Sequence, residues 1–320
     1  MGLQRLNKFK IMNKIRLTPI LICLVTLMGT NLSAQDAIVS LWPNKIPNQS
    51  PSKEKEEDVV EDIRWIRNVQ NPIIEVYLPG KGSANGRAVL IFPGGGYHGL
   101  AYDWEGSDIA KMLNSKGIAG IVVKYRLPLS KSITEKKEVV PLQDAQRAMR
   151  LVRSRAKEWN INEDEIGVIG FSAGGHLAST LGVYYGEQVY EKQDDVDDLN
   201  ARPNFMALIY PVISMEDETT HVGTRGALLG ENPTDELINR FSTHKNISET
   251  TPPTFILHAV DDEAVPVENS VLLFSSLKNK GVPATMHIYP TGGHGFSLAL
   301  QDKRLKGWVG LLFDWIENLE

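Results

Sequence analysis

The chain has 320 residues, 42% of them hydrophobic and 23% charged, with 34 basic residues against 39 acidic ones. This is ordinary globular composition, with enough apolar residue for a large core. The single cysteine, Cys23, excludes a disulfide framework. The acidic surplus excludes nucleic acid and anionic membranes as natural partners.

The first 34 residues hold Arg5, Lys8, Lys10, Lys14 and Arg16 and no acid. An apolar run from Leu17 to Met28 follows, then Leu32-Ser33-Ala34. A basic start, a short apolar core and alanine at the exit predict a cleavable secretory signal over 1–34, with an apolar run too short to favour a membrane span. The expected mature protein is secreted or periplasmic and not held at a membrane. It has no cysteine, 29 basic residues against 39 acidic, and a formal charge of −10. Neutral substrates suit such a surface.

Residues 44–62 are Pro-rich and then charge-rich, and read as a solvated lead-in. Beyond them β-rich runs alternate with helical patterns. The predicted strands are Ile73–Leu78, Ala88–Phe92, Ala119–Lys124, Ile166–Gly170, Phe205–Tyr210, Thr254–Ala259 and Ala284–Tyr289. Several are continuous apolar runs, as expected of strands buried on both faces. The predicted helices are Trp104–Ser115, Gln143–Trp159, Ala173–Tyr185, Val267–Lys280 and Lys303–Leu319, with Gly117 and Gly281 placed as C-terminal caps. The alternation predicts a single α/β domain over 35–320, a mostly parallel central sheet with helices on both faces. The acidic run 191–198 lacks the ligand spacing and glycine turn of a calcium loop and reads as a solvated loop. Residues 212–250 are the longest insertion, placed to shape the mouth of a site.

Gly170-Phe171-Ser172-Ala173-Gly174 lies between a predicted buried strand and a predicted helix. A nucleophilic serine on a sharp strand-to-helix turn needs small flanking residues, because its backbone is strained and crowded. The same turn aims helix N–H groups at developing negative charge. Ser172 is therefore the candidate nucleophile. It needs a base, and the base needs an acid; on such a sheet both follow later in the chain, acid before histidine. His294, in Gly292-Gly293-His294-Gly295-Phe296 after a strand, is the one of seven histidines that combines this order with a flexible loop. His176 reads as a packing or rim residue. His258 and His287 read as core residues, His221 and His244 as surface ones. The acid is Asp261, Asp262 or Glu263, on the loop after Thr254–Ala259.

Pro93-Gly94-Gly95-Gly96-Tyr97-His98-Gly99 follows the strand Ala88–Phe92. Residues 94–99 match the Gly-x-Gly-x-x-Gly dinucleotide fingerprint, but Lys124 stands in the region where that reading needs an acid. The glycines serve an oxyanion hole better. Gly95 and Gly96 are the predicted backbone donors, with Ala173 supplying another, and Tyr97 and His98 are expected to border the substrate. No metal site with zinc-type spacing and no organic cofactor is implied.

These segments, with Val123-Lys124-Tyr125-Arg126-Leu127 and Asp261-Asp262-Glu263-Ala264-Val265-Pro266, resemble those of bacterial α/β-hydrolases related to hormone-sensitive-lipase-type esterases. The resemblance is strongest to secreted carbohydrate esterases acting on xylan acetyl or feruloyl esters. It runs from about Leu41 to the C-terminus. The family's acid usually lies four residues before the proline of the Val-Pro pair, which implies Asp262. Pro93 stands where the family often has histidine, a change that leaves backbone donors in place.

The resemblance implies an α/β-hydrolase fold and serine esterase activity, with an acetylated plant-type carbohydrate as the substrate. Feruloyl or general short-chain ester hydrolysis is the alternative. A prolyl-oligopeptidase-type peptidase carries a large propeller, for which the 286 residues after Ala34 leave no room. An inactive carbohydrate-binding protein would have no use for an ordered serine, acid and histidine.

Overall fold

A computed structural model describes residues 35–319. The expected signal segment, 1–34, lies outside the described residues. In chain order the strands and helices begin with β1 (Ala37–Ser40), β2 (Glu57–Val60), β3 (Arg64–Arg67), β4 (Ile73–Tyr77), β5 (Ala88–Phe92) and β6 (Leu100–Ala101). A π-helical turn, Asp103–Ser107, leads into α1 (Asp108–Asn114). Then come β7 (Ala119–Lys124), α2 (Val140–Ser154), β8 (Ile166–Phe171), α3 (Ala173–Tyr184), β9 (Met206–Ile209), α4 (Val222–Leu229) and α5 (Asp235–Phe241). The last elements are β10 (Thr254–Ala259), α6 (Glu268–Asn279), β11 (Ala284–Tyr289) and α7 (Trp308–Glu317).

Eight strands form one sheet in the order β1-β4-β7-β5-β8-β9-β10-β11. The pairs from β7 through β11 are parallel, while β1 and β4 join antiparallel at one end. Every residue of β5, β7, β8 and β10 is buried. Strands with no exposed side must be covered on both faces, which is why apolar residues dominate them. From β5 the chain crosses by α1 to β7, then returns by α2 to β8 on the other side of β5. The reversal makes the carboxyl ends of β5 and β8 a topological switch point, where open α/β sheets form their ligand crevice. The fold is that of an α/β-hydrolase.

Two expectations are corrected away from the main sheet. The lead-in 44–62 is not simply solvated. Its end enters a small antiparallel sheet, β2-β3-β6, that stands beside the switch point. Glu56 pairs with Lys124 at the end of β7, and Arg126 donates to the Pro47 carbonyl (2.5 Å). The acidic run is also more than a solvated loop. Asp194 and Asp197 lie 2.7 and 2.9 Å from the buried Arg147 guanidinium of α2. That cation needs the carboxylates because an unpaired charge in the interior is costly.

A stronger tie lies behind β7. Arg126 and Asp144 form an ion pair with both side chains wholly buried, 2.8 Å apart. Asp144 also accepts the indole N–H of Trp42 (2.8 Å), so β7, α2 and the N-terminal segment share one satisfied polar cluster.

Candidate active site

Ser172 caps the turn between β8 and α3 with φ 52° and ψ −119°, a conformation that costs a non-glycine residue energy. Tight packing holds it. A Cβ at Gly174 would lie 2.0 Å from the Phe92 carbonyl oxygen, so glycine there lets the start of α3 press against the end of β5. Ser172 N–H donates to Ile209 O (3.0 Å), and Ser172 O accepts from Val212 N–H (3.1 Å) and His176 N–H (3.1 Å).

The hydroxyl of Ser172 lies 2.9 Å from Nε2 of His294. Nδ1 of His294 lies 2.7 Å from Oδ2 of Asp262. The structure thus brings together three residues from the loops after β8, β10 and β11. Of the three acids left open by position, Asp262 is the one that reaches the imidazole. Asp261 accepts the N–H groups of Gly292 (2.7 Å) and Gly293 (2.8 Å), holding the histidine's loop. Glu263 is exposed.

Asp262 is surrounded by donors. Oδ1 accepts from the N–H of Ala264 (3.0 Å) and Val265 (2.8 Å), and Oδ2 also receives Nε2–H of His258 (3.2 Å). Burial disfavours its charge, but hydrogen bonds from His258 and His294 outweigh that and hold its pKa well below the usual carboxylate range. His258 is buried in β10 as expected, with Nδ1 2.7 Å from Ser270 Oγ. Its contact with the acid is what sequence reasoning missed, since nothing in a strand marks which residue lies under the next loop.

The loop after β5 supplies the opposite wall. The N–H groups of Gly95, Gly96 and Ala173 donate to no acceptor among the described residues. Gly95 has φ +133°, and a Cβ there would meet the Gly99 carbonyl at 2.2 Å; only glycine permits this loop. Beneath it lies Glu105, on the π-helical turn. Its carboxyl accepts Gly94 N–H (2.8 Å) and the Tyr210 hydroxyl (2.7 Å). Burial pushes its pKa up, against the lowering effect of those two hydrogen bonds. Tyr210 also accepts Ser297 N–H (3.0 Å), and its ring packs edge-on to His294 with centroids 5.0 Å apart. Glu105 and Tyr210 therefore link the glycine loop to the histidine loop.

These groups border a cleft of about 390 Å³. Ile63, Trp65 and Trp104 form apolar walls, and His221 stands on the rim of the glycine loop. Trp104 donates its indole N–H to Gly295 O (2.8 Å). Trp65 covers Gly95 and Gly99, within 3.0 and 3.3 Å of where their Cβ atoms would be. Another depression, of about 270 Å³, lies at the opposite ends of the strands against Leu78, Arg87 and Trp159 and brings no comparable group together.

Tyr97 and His98 do not border this cleft. Tyr97 is 1% exposed and donates its hydroxyl to Nδ1 of His176 (2.9 Å), because the turn at 95–99 directs it into the core. His98 is exposed and faces Gly223 O (3.3 Å). His221, expected at the surface, is instead half-buried and lines the cleft. Among the described residues no group of three or more His, Cys, Asp or Glu could hold a metal ion, and no helix is long and apolar enough to cross a membrane.

A serine at a strained strand-to-helix turn, at the switch point of this sheet, defines the α/β-hydrolase class. The BD-FAE family model matches residues 74–277, and the chain belongs to that family. It is 36% identical over 239 residues to an acetylxylan esterase of Xylanibacter ruminicola, covering 73% of this chain and 46% of that protein. It is also 36% identical over 222 residues to endo-1,4-beta-xylanase B of Butyrivibrio fibrisolvens, covering 69% of this chain and 34% of that one. The chain thus spans about half or less of the length of these relatives. Among solved structures, the acetyl ester-xyloside bifunctional hydrolase from Caldicellulosiruptor lactoaceticus superposes with a TM-score of 0.77 at 38% identity. The match covers 90% of this chain and 98% of that one.

Proposed function

We propose that the protein is a serine carboxylic-ester hydrolase that removes acetyl groups from plant-type polysaccharide or oligosaccharide. Its working residues are Ser172, His294 and Asp262, with Gly95, Gly96 and Ala173 as oxyanion donors. The observation that carries this reading is the continuous contact from Ser172 Oγ to His294 Nε2 (2.9 Å) and from His294 Nδ1 to Asp262 (2.7 Å). The N–H groups of Gly95, Gly96 and Ala173 are uncommitted among the described residues, and Gly95 and Gly96 line the same cleft as Ser172 and His294.

The chemistry follows from those positions. Ser172 Oγ bonds to the acyl carbon as its proton passes to His294 Nε2. The carbonyl π electrons move onto oxygen, where the N–H groups of Gly95, Gly96 and Ala173 hold the charge. Asp262 keeps the imidazole proton on Nδ1 and stabilises the imidazolium. When the C–O bond breaks, His294 returns its proton to the departing sugar oxygen. Water then attacks the acyl-serine, giving one proton to His294, and acetic acid leaves as His294 passes that proton to Ser172 Oγ.

The names of the relatives and the structural neighbour support a carbohydrate ester. The basic-then-apolar residues 1–34 support removal of a signal and work outside the cytoplasm. A second reading, release of aromatic acids such as ferulate, is favoured by the walls Trp65 and Trp104. Acetate release from acetylated xylan, ferulate release and peptide cleavage, measured side by side, separate these readings. Acetate release is expected to be fastest; fast ferulate release with none of acetate overturns the preferred substrate.

A further inference from the structure

His221 reaches the cleft from the insertion between β9 and β10. It is the N-cap of α4, and its Nδ1 accepts the backbone N–H of Thr224 (3.2 Å) and lies 2.7 Å from the Thr224 hydroxyl. A ring nitrogen that accepts a backbone N–H carries no proton, so in the neutral ring the proton resides on Nε2. Burial, together with the neighbouring His294 and His98, lowers the pKa of His221 and favours that neutral ring. Nε2 has no acceptor among the described residues, while two other polar side chains of the cleft are committed. The Trp104 N–H is spent on Gly295 O and the Glu105 carboxyl on Gly94 and Tyr210. His221 also borders the oxyanion loop, since a Cβ on Gly96 would lie 3.7 Å from its Cε1.

An acetyl group has one carbonyl oxygen, and the backbone donors claim it. The acceptor for one more fixed donor must then sit on the alcohol. We infer that His221 is a specificity residue whose Nε2–H binds a free hydroxyl on the alcohol portion of the ester, so that hydroxylated sugar alcohols are chosen over plain ones. The inference rests on the esterase reading above.

The test compares two acetates in kcat/KM. One is a methyl xyloside carrying a single acetyl group. The other is the acetate of hydroxytetrahydropyran, the same ring stripped of its free hydroxyls. The wild-type enzyme is expected to prefer the xyloside by about tenfold, the size of one well-made neutral hydrogen bond. In His221→Asn the shorter side chain still caps α4 but withdraws the donor from the cleft, and the preference is expected to fall to near one with Tm preserved. His221→Gln, which returns an N–H to the cleft, is expected to recover part of the preference. Equal turnover of both esters by the wild type, or a preference that survives in His221→Asn, overturns the inference and leaves the esterase reading standing. A wild type that cleaves the tetrahydropyranyl acetate but not the xyloside overturns the carbohydrate reading itself.

Discussion

His176 sits inside α3 four residues after the serine, wholly buried, with Nε2–H donating to Phe241 O (2.8 Å) and Nδ1 accepting from Tyr97 (2.9 Å). Burial pushes its pKa down to about 4, against a raising contribution from the Phe241 carbonyl. The unfolded chain takes up this proton near pH 6.5 and the folded one only near pH 4. Stability from the neutral ring is therefore complete above about pH 6.5 and drains as the pH falls toward 4, by about 3 kcal/mol. Asp262 works in a lower window. Its depressed pKa adds stability above the unfolded value of about 3.9, lost as pH falls through the folded value. Urea midpoints between pH 7 and 4 should fall for the wild type and fall less for His176→Gln; equal slopes would contradict this assignment. At the same scale, Asp262→Asn should lower kcat by about 1,000- to 10,000-fold with little change in KM, measured on an activated acetate, because the imidazole loses its fixed tautomer.

Between β8 and α3 the limiting contact is backbone against backbone. Gly174→Ala places a Cβ against Phe92 O, where only 2.0 Å is free. It should destabilise the fold by about 1–3 kcal/mol and reduce kcat more than KM, since the glycine loop after β5 must shift. Denaturant unfolding and steady-state kinetics on one preparation check both effects. The pair between β7 and α2 gives a different signature. Asp144→Ala leaves Arg126 buried and unpaired, and should cost about 3–5 kcal/mol. The elements legible in the sequence were those whose signal is local. β5 is an unbroken apolar run, β7 and β10 are mostly apolar, and the bounds of all three match the expectation. β3 was not legible, because Arg64-Trp65-Ile66-Arg67 is short and flanked by charge, and its partners Leu100 and Ala101 lie some 35 residues away. For the same reason the sequence does not mark Trp65 and His221 as cleft residues, and Tyr97, expected at the substrate, faces the core. A motif marks where the backbone turns but does not fix which side chain the turn sends inward.

At the scale of the whole molecule, one sheet carries every proposed working part on loops at its carboxyl edge. Serine, acid and histidine follow strands β8, β10 and β11, and the oxyanion loop follows β5. Their chain order was readable because each follows its own strand, whereas the links among them were not, because Glu105, Tyr210 and His258 act across the fold. If residues 1–34 are a signal, intact mass of the exported protein should correspond to a chain beginning at Gln35; a full-length protein retained in the cytoplasm would contradict that. The central claim is that Ser172 forms the covalent acyl intermediate. A fluorophosphonate probe followed by peptide mass spectrometry tests it most directly. The account predicts one probe per chain, on Ser172, with ester hydrolysis lost in parallel, and a folded Ser172→Ala protein that takes no probe and turns over about 10,000-fold more slowly or worse. A Ser172→Ala protein with wild-type turnover, or a probe on another residue that abolishes activity while Ser172 stays free, would contradict it.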